Sequence, residues 1–190
     1  KSIKKLDNLV NDLLVLSRDN RISDPYVEID IRKKIDECLE NYDFIENFKS
    51  IDFKININQD SPFYSDKTRI NVLLNNLISN STQYSKKNSE ISFIHIGVRI
   101  DAIKCVLTIE DNGEGIPAKF QSKIFDMFYR ATESSDGSGL GLYIVKNVLD
   151  KLGAKIDFDS TEGVGTTFVV TIPNAINNKK TEKKTKVTKV

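Results

Sequence analysis

Apolar residues recur along the chain at two spacings, either at every second position or at every third and fourth position. The first spacing predicts half-buried strands, and the second predicts helices with one apolar face. The clearest alternation is in the run IDFKININ, which contains Ile51, Phe53, Ile55 and Ile57. Similar alternation predicts strands over 27–31, 91–100, 104–110, 154–160 and 166–172.

Helical spacing marks the remaining apolar segments. The opening segment 1–18 carries a stripe typical of a bundle or coiled-coil helix, formed by Ile3, Leu6, Val10 and Leu13. Further helices are predicted over 35–45, 66–84 and 140–152, with a short helix before the last one. Gly153 follows the last helix and suits a left-handed C-terminal cap. Because the opening stripe needs a partner helix and no capping residue precedes it, we expect the chain to come from a longer protein.

The order of these elements predicts an α+β fold, namely a two-layer sandwich in which helices cover one face of a mixed sheet, preceded by a bundle-type helix. We expect the bundle helix to occupy residues 1–22, the compact domain residues 23–175 and a basic tail residues 176–190. The tail is rich in lysine and poor in large apolar residues, a composition that predicts disorder.

Composition and charge narrow the class of protein. The 190 residues carry a formal net charge of +1, so no strongly basic surface predicts binding to nucleic acid. No apolar run reaches about eighteen residues, which predicts a soluble, cytoplasmic domain and leaves open a membrane anchor elsewhere in a full-length protein. Cys38 and Cys105 are far apart in the sequence and have no histidine at metal-ligand spacing. We expect both to be free, buried thiols in a reducing compartment.

Two asparagines mark a candidate metal site on the helix predicted over 66–84. Asn76 and Asn80 are four residues apart, so their side chains project from the same face of that helix. An amide oxygen is a hard ligand that suits Mg²⁺, whose other ligands are usually water and phosphate oxygens. The alternative is that the two asparagines merely decorate an exposed helix face, as most such pairs do.

A candidate site for adenine follows the strand predicted over 104–110. Asp111 closes this strand, and Gly113 and Gly115 follow it, where the backbone can approach a flat ligand closely. A buried carboxylate at this position could accept a hydrogen bond from the amino group of adenine, which guanine lacks at that position. The same residues also fit a plain Asp-Asn-Gly turn.

A candidate phosphate site precedes the helix predicted over 140–152. Gly137, Gly139 and Gly141 lead directly into this helix, an arrangement in which backbone N–H groups and the positive helix end receive phosphate. It is not a Walker loop, because no Gly-Lys-Ser/Thr follows. The polar segment between Phe128 and Gly137 suits a mobile lid over a ligand.

These segments belong to an ordered set of blocks between about Ser65 and Pro173 that resembles the boxes of histidine kinases. NLISNSTQYS resembles the N box, DNGEGIP the first glycine box, FDMFYR the F box, GSGLGLYIVK the second glycine box and GVGTTF the third. The resemblance implies the Bergerat ATP-binding fold and a protein-histidine kinase that uses ATP and Mg²⁺.

The resemblance also implies roles for individual residues. Asn80 would be the Mg²⁺ ligand with Asn76 close to metal or phosphate, and Asp111 would bind adenine with Tyr84 packed near the base. Arg130 is a candidate to reach phosphate, and core packing is at least as good an account of the F-box residues Phe125 and Phe128 as ligand contact. The expected nucleotide-binding set is Asn76, Asn80, Tyr84, Asp111, Gly113, Gly115, Ile116, Phe128, Arg130, Gly137, Ser138, Gly139, Leu140, Gly141, Leu142 and Thr167.

One residue departs from the family's pattern. The N box often has a basic residue at the position of Gln83, and that cation would help to neutralise phosphate. Lys86, Lys87 and Arg130 are the candidates to replace its charge.

The opening helix resembles the second helix of the dimerisation and phosphotransfer bundle of histidine kinases. This implies a homodimer formed through the bundle of the full-length protein, a phosphoacceptor histidine on the preceding helix and a response-regulator receiver domain as partner. His95 is the only histidine of the chain and lies in the alternating run ISFIHIGV, which predicts a structural role. We therefore expect no catalytic residue in this chain and no autophosphorylation by it alone.

Two other functions are weighed against the kinase. In ATPases of the same superfamily a water-activating glutamate lies one helical turn before the metal-binding asparagine, and here that position holds Asn76, which cannot take a proton. The second alternative is a scaffold module that binds nucleotide only to stabilise an interface, and the intact glycine boxes argue against it.

Overall fold

A computed structural model describes residues 25–41, 51–86, 92–130 and 138–177 of the chain, together with Val10 and Leu14. The strands within these residues are β1 (Val27–Glu28), β2 (Ile51–Gln59), β3 (Tyr64–Ser65), β4 (Ser92–Ile100), β5 (Lys104–Asp111), β6 (Lys155–Thr161) and β7 (Gly165–Pro173). The α-helices are α1 (Ile31–Glu40), α2 (Lys67–Gln83), α3 (Ala118–Gln121) and α4 (Gly141–Leu152), and Ala175–Asn177 forms a 3-10 helix.

Five strands form one mixed sheet in the order β2-β4-β5-β7-β6. β2 and β4 run parallel, with Ile55 opposite Ile96, and the other neighbours are antiparallel. A parallel pair requires a crossover connection, and α2 lies in the chain that joins β2 to β4. The short strands β1 and β3 form a separate antiparallel pair.

The apolar residues of the sheet face one side, and the helices cover that side. Alternate residues of the three central strands are buried there, including Ile94, Ile96, Val98, Leu107, Ile109, Phe168, Val170 and Ile172. They belong to one cluster with the buried residues of α1, α2 and α4. The predicted two-layer α+β sandwich with a mixed sheet is confirmed.

Capping residues explain where the two helices of the candidate site begin and end. Asp66 caps α2, and its carboxylate accepts a hydrogen bond from the backbone N–H of Arg69 at 2.9 Å. At the start of α4 the N-cap residue is Leu140, which has no side chain that could accept from the first turn. The C-terminal cap of α4 is Gly153, with φ of 63°, as predicted. The first turn of α4 therefore receives no hydrogen bond from the side chain of its N-cap residue.

The strand predicted over 27–31 is wrong in its second half. β1 ends at Glu28, and Asp30 caps α1 by accepting a hydrogen bond from Lys33 N at 3.0 Å. Ile29 and Ile31 are both buried, one before and one after this cap. Their alternation therefore reflects packing against the core rather than pairing in a sheet.

Some predictions fall outside the described residues. The bundle helix of residues 1–22 is represented by Val10 and Leu14, which are helical and exposed. Tyr42 and Ile45, at the end of the helix predicted over 35–45, and the tail from residue 178 onward also lie outside this part of the chain. Among the described residues, no helix combines the length and the hydrophobicity needed to cross a bilayer.

Candidate nucleotide-binding site

The two asparagines of α2 meet the start of α4. A Cβ atom at Gly141 would lie 3.1 Å from Asn76 Oδ1 and 3.5 Å from Asn80 Oδ1. Asn76 Nδ2 donates to the carbonyl of Val72 at 2.8 Å, which orients Oδ1 away from its own helix. The first turn of α4 thus lies directly against two amide oxygens of α2, and a side chain at position 141 would crowd them.

Two buried side-chain donors without a partner lie in the last turn of α2. Among the described residues, Asn80 Nδ2 and Gln83 Nε2 are buried and lack a hydrogen bond. Each unsatisfied buried group costs about 1–3 kcal/mol, so such groups are rare in folded proteins except where a ligand completes them. Together with the hard amide oxygens beside α4, this cluster fits a bound nucleotide with its metal ion.

Asp111 lies at the end of β5 and is largely shielded from water, with an exposed fraction of 8%. Its Oδ1 accepts from the backbone N–H groups of Gly113 at 3.0 Å and Thr166 at 3.3 Å. Burial raises the pKa of this carboxyl, against the opposing effect of the Gly113 N–H. Because both backbone bonds end on Oδ1, Oδ2 is the oxygen suited to receive a ligand donor.

The turn after β5 is held by backbone contacts on both sides. A Cβ atom at Gly113 would lie 2.4 Å from the carbonyl oxygen of Tyr84, the residue that ends α2. Gly115 has φ of 66°, and a Cβ atom there would lie 2.0 Å from the carbonyl oxygen of Thr161 at the end of β6. Glu114 N also donates to Tyr84 O at 2.9 Å. Both glycines are therefore required by close backbone approach.

The F box and the second glycine box contact each other through their backbones. Phe128 has φ of 61°, unusual for a bulky residue, and its side chain is exposed. A Cβ atom at Gly139 would lie 2.9 Å from Phe128 C and 3.1 Å from Arg130 Cγ. Arg130 is thus close to the second glycine box. Phe125 instead packs edge-on against Phe158 at 6.0 Å, which supports its interpretation as a core residue.

The remaining residues of the predicted set divide into packing residues and residues outside the site. Leu140 is fully buried, and Ile116 and Leu142 pack against the core. Ser138 Oγ accepts from Leu140 N at 3.2 Å, in the turn that leads into α4. Gly137, Lys87 and residues 131–136 of the predicted lid lie outside the described residues.

The structure does not bring Thr167 to the other site residues. Thr167 is paired with Glu110 on the sheet face opposite the helices, whereas its neighbour Thr166 is buried beside Asp111. Sequence reasoning missed Thr166 although a signal was present. Side chains alternate along β7, so Thr166 shares the inner face with the apolar Phe168.

His95 and the two cysteines lie apart from this site. His95 stacks on Phe93 at 4.3 Å on the outer face of the sheet, which supports its predicted structural role. Cys38 and Cys105 are free and buried as predicted, and burial raises their pKa values to about 11 and about 12. At neutral pH both thiols are therefore expected to stay protonated.

Comparison with known proteins identifies the family. Residues 65–176 match the family described as histidine kinase-, DNA gyrase B- and HSP90-like ATPase. The chain is 33% identical over 184 residues to the sensor histidine kinase WalK of Bacillus subtilis strain 168, covering 90% of this chain and 29% of that protein. It is 31% identical to the sensor protein SrrB of Staphylococcus aureus strain NCTC 8325, with coverages of 90% and 30%. The chain thus spans about three-tenths of the length of these relatives.

A solved structure supports the same family. The catalytic domain of the histidine kinase ThkA has a TM-score of 0.65 and 27% identity over 78% of this chain and 95% of that chain. The ATP-binding boxes predicted from the sequence fall within the matched residues 65–176. The chain therefore belongs to the histidine kinase-, DNA gyrase B- and HSP90-like ATPase family.

Proposed function

We propose that this domain binds ATP together with Mg²⁺ and directs the γ-phosphoryl group to a histidine on a helix bundle, for relay to an aspartate of a response-regulator receiver domain. The observation that carries this proposal is the meeting of Asn76 and Asn80 with the uncapped start of α4. It combines metal-type ligands with backbone N–H donors in one cleft.

Each part of the cleft has a role in this proposal. Asn80 holds the metal ion through its amide oxygen, and Asn76 lies beside the metal or a phosphate oxygen. The first-turn N–H groups of α4 bind the phosphates, with Gly139 and Gly141 leaving room for them. Asp111 accepts the adenine amino group through Oδ2, and Tyr84 packs near the base. Arg130 reaches phosphate from the F box.

In this reaction the domain has to position the reacting groups, and none of its own residues needs to form a covalent bond. Transfer of the γ-phosphoryl group to histidine depends on alignment of the attacking nitrogen with the leaving oxygen of ADP and on neutralising the negative charge of the phosphoryl group. When bound, Mg²⁺ neutralises part of that negative charge. The residues of α2, β5 and α4 orient the nucleotide, and the nucleophilic histidine nitrogen comes from outside this chain, since His95 lies on the far face of the sheet.

A kinase is favoured over a hydrolase by the residue at position 76. A hydrolase of this superfamily needs a base one turn before the metal-binding asparagine, and the amide of Asn76 cannot accept a proton from water. The names of the relatives, which are sensor kinases, support the same choice.

The wider organisation is proposed from the sequence and the relatives. Residues 1–22 form the second helix of a dimerisation bundle, residues 23–175 the catalytic domain and residues 176–190 a basic tail. The domain works in the cytoplasm as part of a homodimer, with a response regulator and not a nucleic acid as its partner. Support comes from the amphipathic stripe of the opening segment and the net charge of +1.

Calorimetric titration of ATP, ADP and GTP with and without Mg²⁺ tests the proposal. We expect adenine-selective binding that is strengthened by the metal, and that Asn80→Leu reduces the metal dependence. Asn75→Leu is the matched control, because Asn75 neighbours the site residues but its Nδ2 donates to Asn71 O on the same helix. Absence of adenine nucleotide binding by the folded protein would refute the proposed function.

A further inference from the structure

Ser160, near the end of β6, lies where two segments beside Asp111 meet. Its Oγ accepts a hydrogen bond from the backbone N–H of Ile116 at 2.8 Å, at the end of the turn that follows β5. The same oxygen lies 3.0 Å from the carbonyl oxygen of Gly165 and 2.9 Å from Thr166 Oγ1. One hydroxyl group therefore joins the turn after β5 to the first residues of β7.

The single proton of the Ser160 hydroxyl determines the direction of these hydrogen bonds. The carbonyl of Gly165 can only accept, so the Ser160 hydroxyl donates to it. The contact with Thr166 Oγ1 then uses the proton of Thr166, and Ser160 Oγ accepts from Thr166 and from Ile116 N. The hydroxyl thus uses its one donor and both of its acceptor positions within the chain.

The segments that Ser160 joins are those that hold the carboxylate of Asp111. Thr166 N donates to Asp111 Oδ1 at 3.3 Å from the start of β7. Gly113 N donates to the same oxygen at 3.0 Å from the turn that ends at Ile116. Because both backbone donors of Oδ1 belong to segments tied by one hydroxyl, the orientation of Asp111 depends on Ser160 through its neighbours.

A second tie holds the main chain of Ser160. Gln121 Nε2 donates to the carbonyl oxygens of Ile116 and Ser160, both at 2.9 Å. Phe125, which follows α3, packs edge-on against Phe158, two residues before Ser160 on β6. Since these contacts do not involve the hydroxyl, its removal should loosen the turn around Asp111 without detaching β6.

We propose that Ser160 is a positioning residue for the recognition of adenine. Its hydroxyl holds the turn after β5 against the start of β7 and thereby fixes the carboxylate of Asp111 where the amino group of the base binds. This inference rests on the proposed function. It predicts that the Ser160 hydroxyl increases the selectivity of the domain for adenine over a base that carries an oxygen in place of the amino group.

Two substitutions at position 160 test the role of the hydroxyl. Ser160→Ala deletes it, and Ser160→Thr keeps it on a residue type that suits a strand. Thr171→Val is the matched control, because it deletes a hydroxyl on the outer face at the other end of β7. Calorimetry with Mg²⁺ measures the binding of ADP and of IDP, whose base carries an oxygen where adenine carries the amino group. Thermal unfolding shows whether each variant is folded.

Ser160→Ala is expected to weaken ADP about tenfold and to change IDP less than about twofold, because IDP offers no amino group to Asp111. Its thermal midpoint should also fall, since Ile116 N loses its acceptor. Ser160→Thr and Thr171→Val should keep the ratio of ADP to IDP affinity of the wild type. If Ser160→Ala does not fold, Ser160→Cys replaces it, because a thiol is only a weak donor and acceptor.

Three results would overturn the inference. The first is a folded Ser160→Ala that keeps the affinity ratio of the wild type. The second is an equal loss of ADP and IDP affinity, which would indicate general damage to the site. The third is a folded Ser160→Thr that behaves like Ser160→Ala. Each of them leaves the proposed function intact if the wild type binds ADP, whereas a folded wild type that binds no ADP would remove both proposals.

Discussion

Asp111 is a carboxylate that the fold keeps from water and supports with backbone N–H groups. Burial raises its pKa, so the folded state holds a proton on this residue more tightly than the unfolded state does. Ionised Asp111 therefore lowers stability at neutral pH, and this cost is relieved as the pH falls through the raised pKa toward the unfolded value. Because the fold keeps this carboxylate although it lowers stability, Asp111 is a candidate for a functional role.

Replacing Asp111 by Asn should separate binding from stability. We expect Asp111→Asn to weaken ADP about ten- to a hundredfold, because the charged acceptor for the adenine amine is lost. At neutral pH the thermal midpoint of Asp111→Asn should equal or exceed that of the wild type. The difference in thermal midpoint between acidic and neutral pH should be smaller in the variant than in the wild type. Calorimetry and thermal unfolding across pH measure both effects, with Asp157→Asn at an exposed position of β6 as control. Unchanged ADP affinity would contradict the role of Asp111.

Gly141 lies where the start of α4 meets the amide oxygens of α2, in the proposed phosphate site. A Cβ atom at position 141 would lie 3.1 Å from Asn76 Oδ1 and would crowd a ligand bound there. We expect Gly141→Ala to reduce ADP affinity at least about tenfold while helix stability is kept, because alanine has the higher helix propensity. Gly97→Ala is the control, since a Cβ there meets only Thr108 Cβ at an ordinary 3.7 Å. Parallel loss of affinity and stability in Gly141→Ala would argue against a cleft.

At the scale of elements, α2 and α1 start with the same capping device in different surroundings. Asp66 accepts from Arg69 N at 2.9 Å and also pairs with the buried Arg69 guanidinium at 2.6 Å. Asp30 accepts from Lys33 N at 3.0 Å in an exposed position. The two caps therefore differ mainly in one respect: Asp66 also pairs with the buried charge of Arg69, whereas Asp30 caps an exposed helix end.

The two caps should differ in their contribution to stability. We expect Asp66→Ala to lower the free energy of unfolding by about 3–5 kcal/mol, since it removes a cap and leaves Arg69 buried without its carboxylate. Asp30→Ala should cost only about 0.5–2 kcal/mol. Urea unfolding of both variants provides the measurement. Equal losses would mean that the Asp66–Arg69 pair adds nothing beyond capping.

Local spacing of apolar residues predicted helices and strands well in segments where no second sequence feature, such as a helix cap, competed with it. The helix predicted over 66–84 corresponds to α2 with its caps Asp66 and Tyr84, and the alternation from Ile51 to Ile57 lies within β2. The prediction over 27–31 failed because the N-cap Asp30 competes with an apolar alternation. The parallel pairing of β2 with β4 could not be predicted, because strand order depends on tertiary packing and not on local spacing.

Site residues show the same division between local and tertiary information. Spacing alone placed Asn76 and Asn80 on one face, and their contact with Gly141 required the packing of α2 against α4. Thr167 was chosen from a sequence block, and the alternation of β7 selects Thr166 instead. The unpaired donor of Gln83 had no sequence signal, since its environment exists only in the fold.

At the scale of the whole molecule, the proposed site has a phosphate half and a base half. α2 and α4 form the first, and the turn after β5 with the hairpin of β6 and β7 forms the second. The only histidine lies on the opposite sheet face, and position 76 offers an amide where a hydrolase needs a base.

This arrangement predicts binding without appreciable turnover by the chain alone. ATP hydrolysis should stay far below about 1 s⁻¹, the lower end of typical enzyme turnover. Release of phosphate from ATP with Mg²⁺ is the measurement, and calorimetry on the same sample confirms that nucleotide is bound. Sustained hydrolysis near 1 s⁻¹ or above would favour the ATPase alternative.

The backbone contacts around Asp111 have a consequence for how this sequence can change. Gly165 packs its backbone against the carbonyl of Asp111, where a Cβ atom would lie 2.0 Å away, and Gly163 N donates to Glu114 O at 2.7 Å. Backbone contacts therefore hold the hairpin turn 162–164 in a fixed position against a segment about fifty residues earlier in the chain. An insertion or deletion in this surface turn would displace Asp111, the proposed acceptor for adenine. The length of this turn should therefore be the same among related sequences, although surface turns usually vary in length.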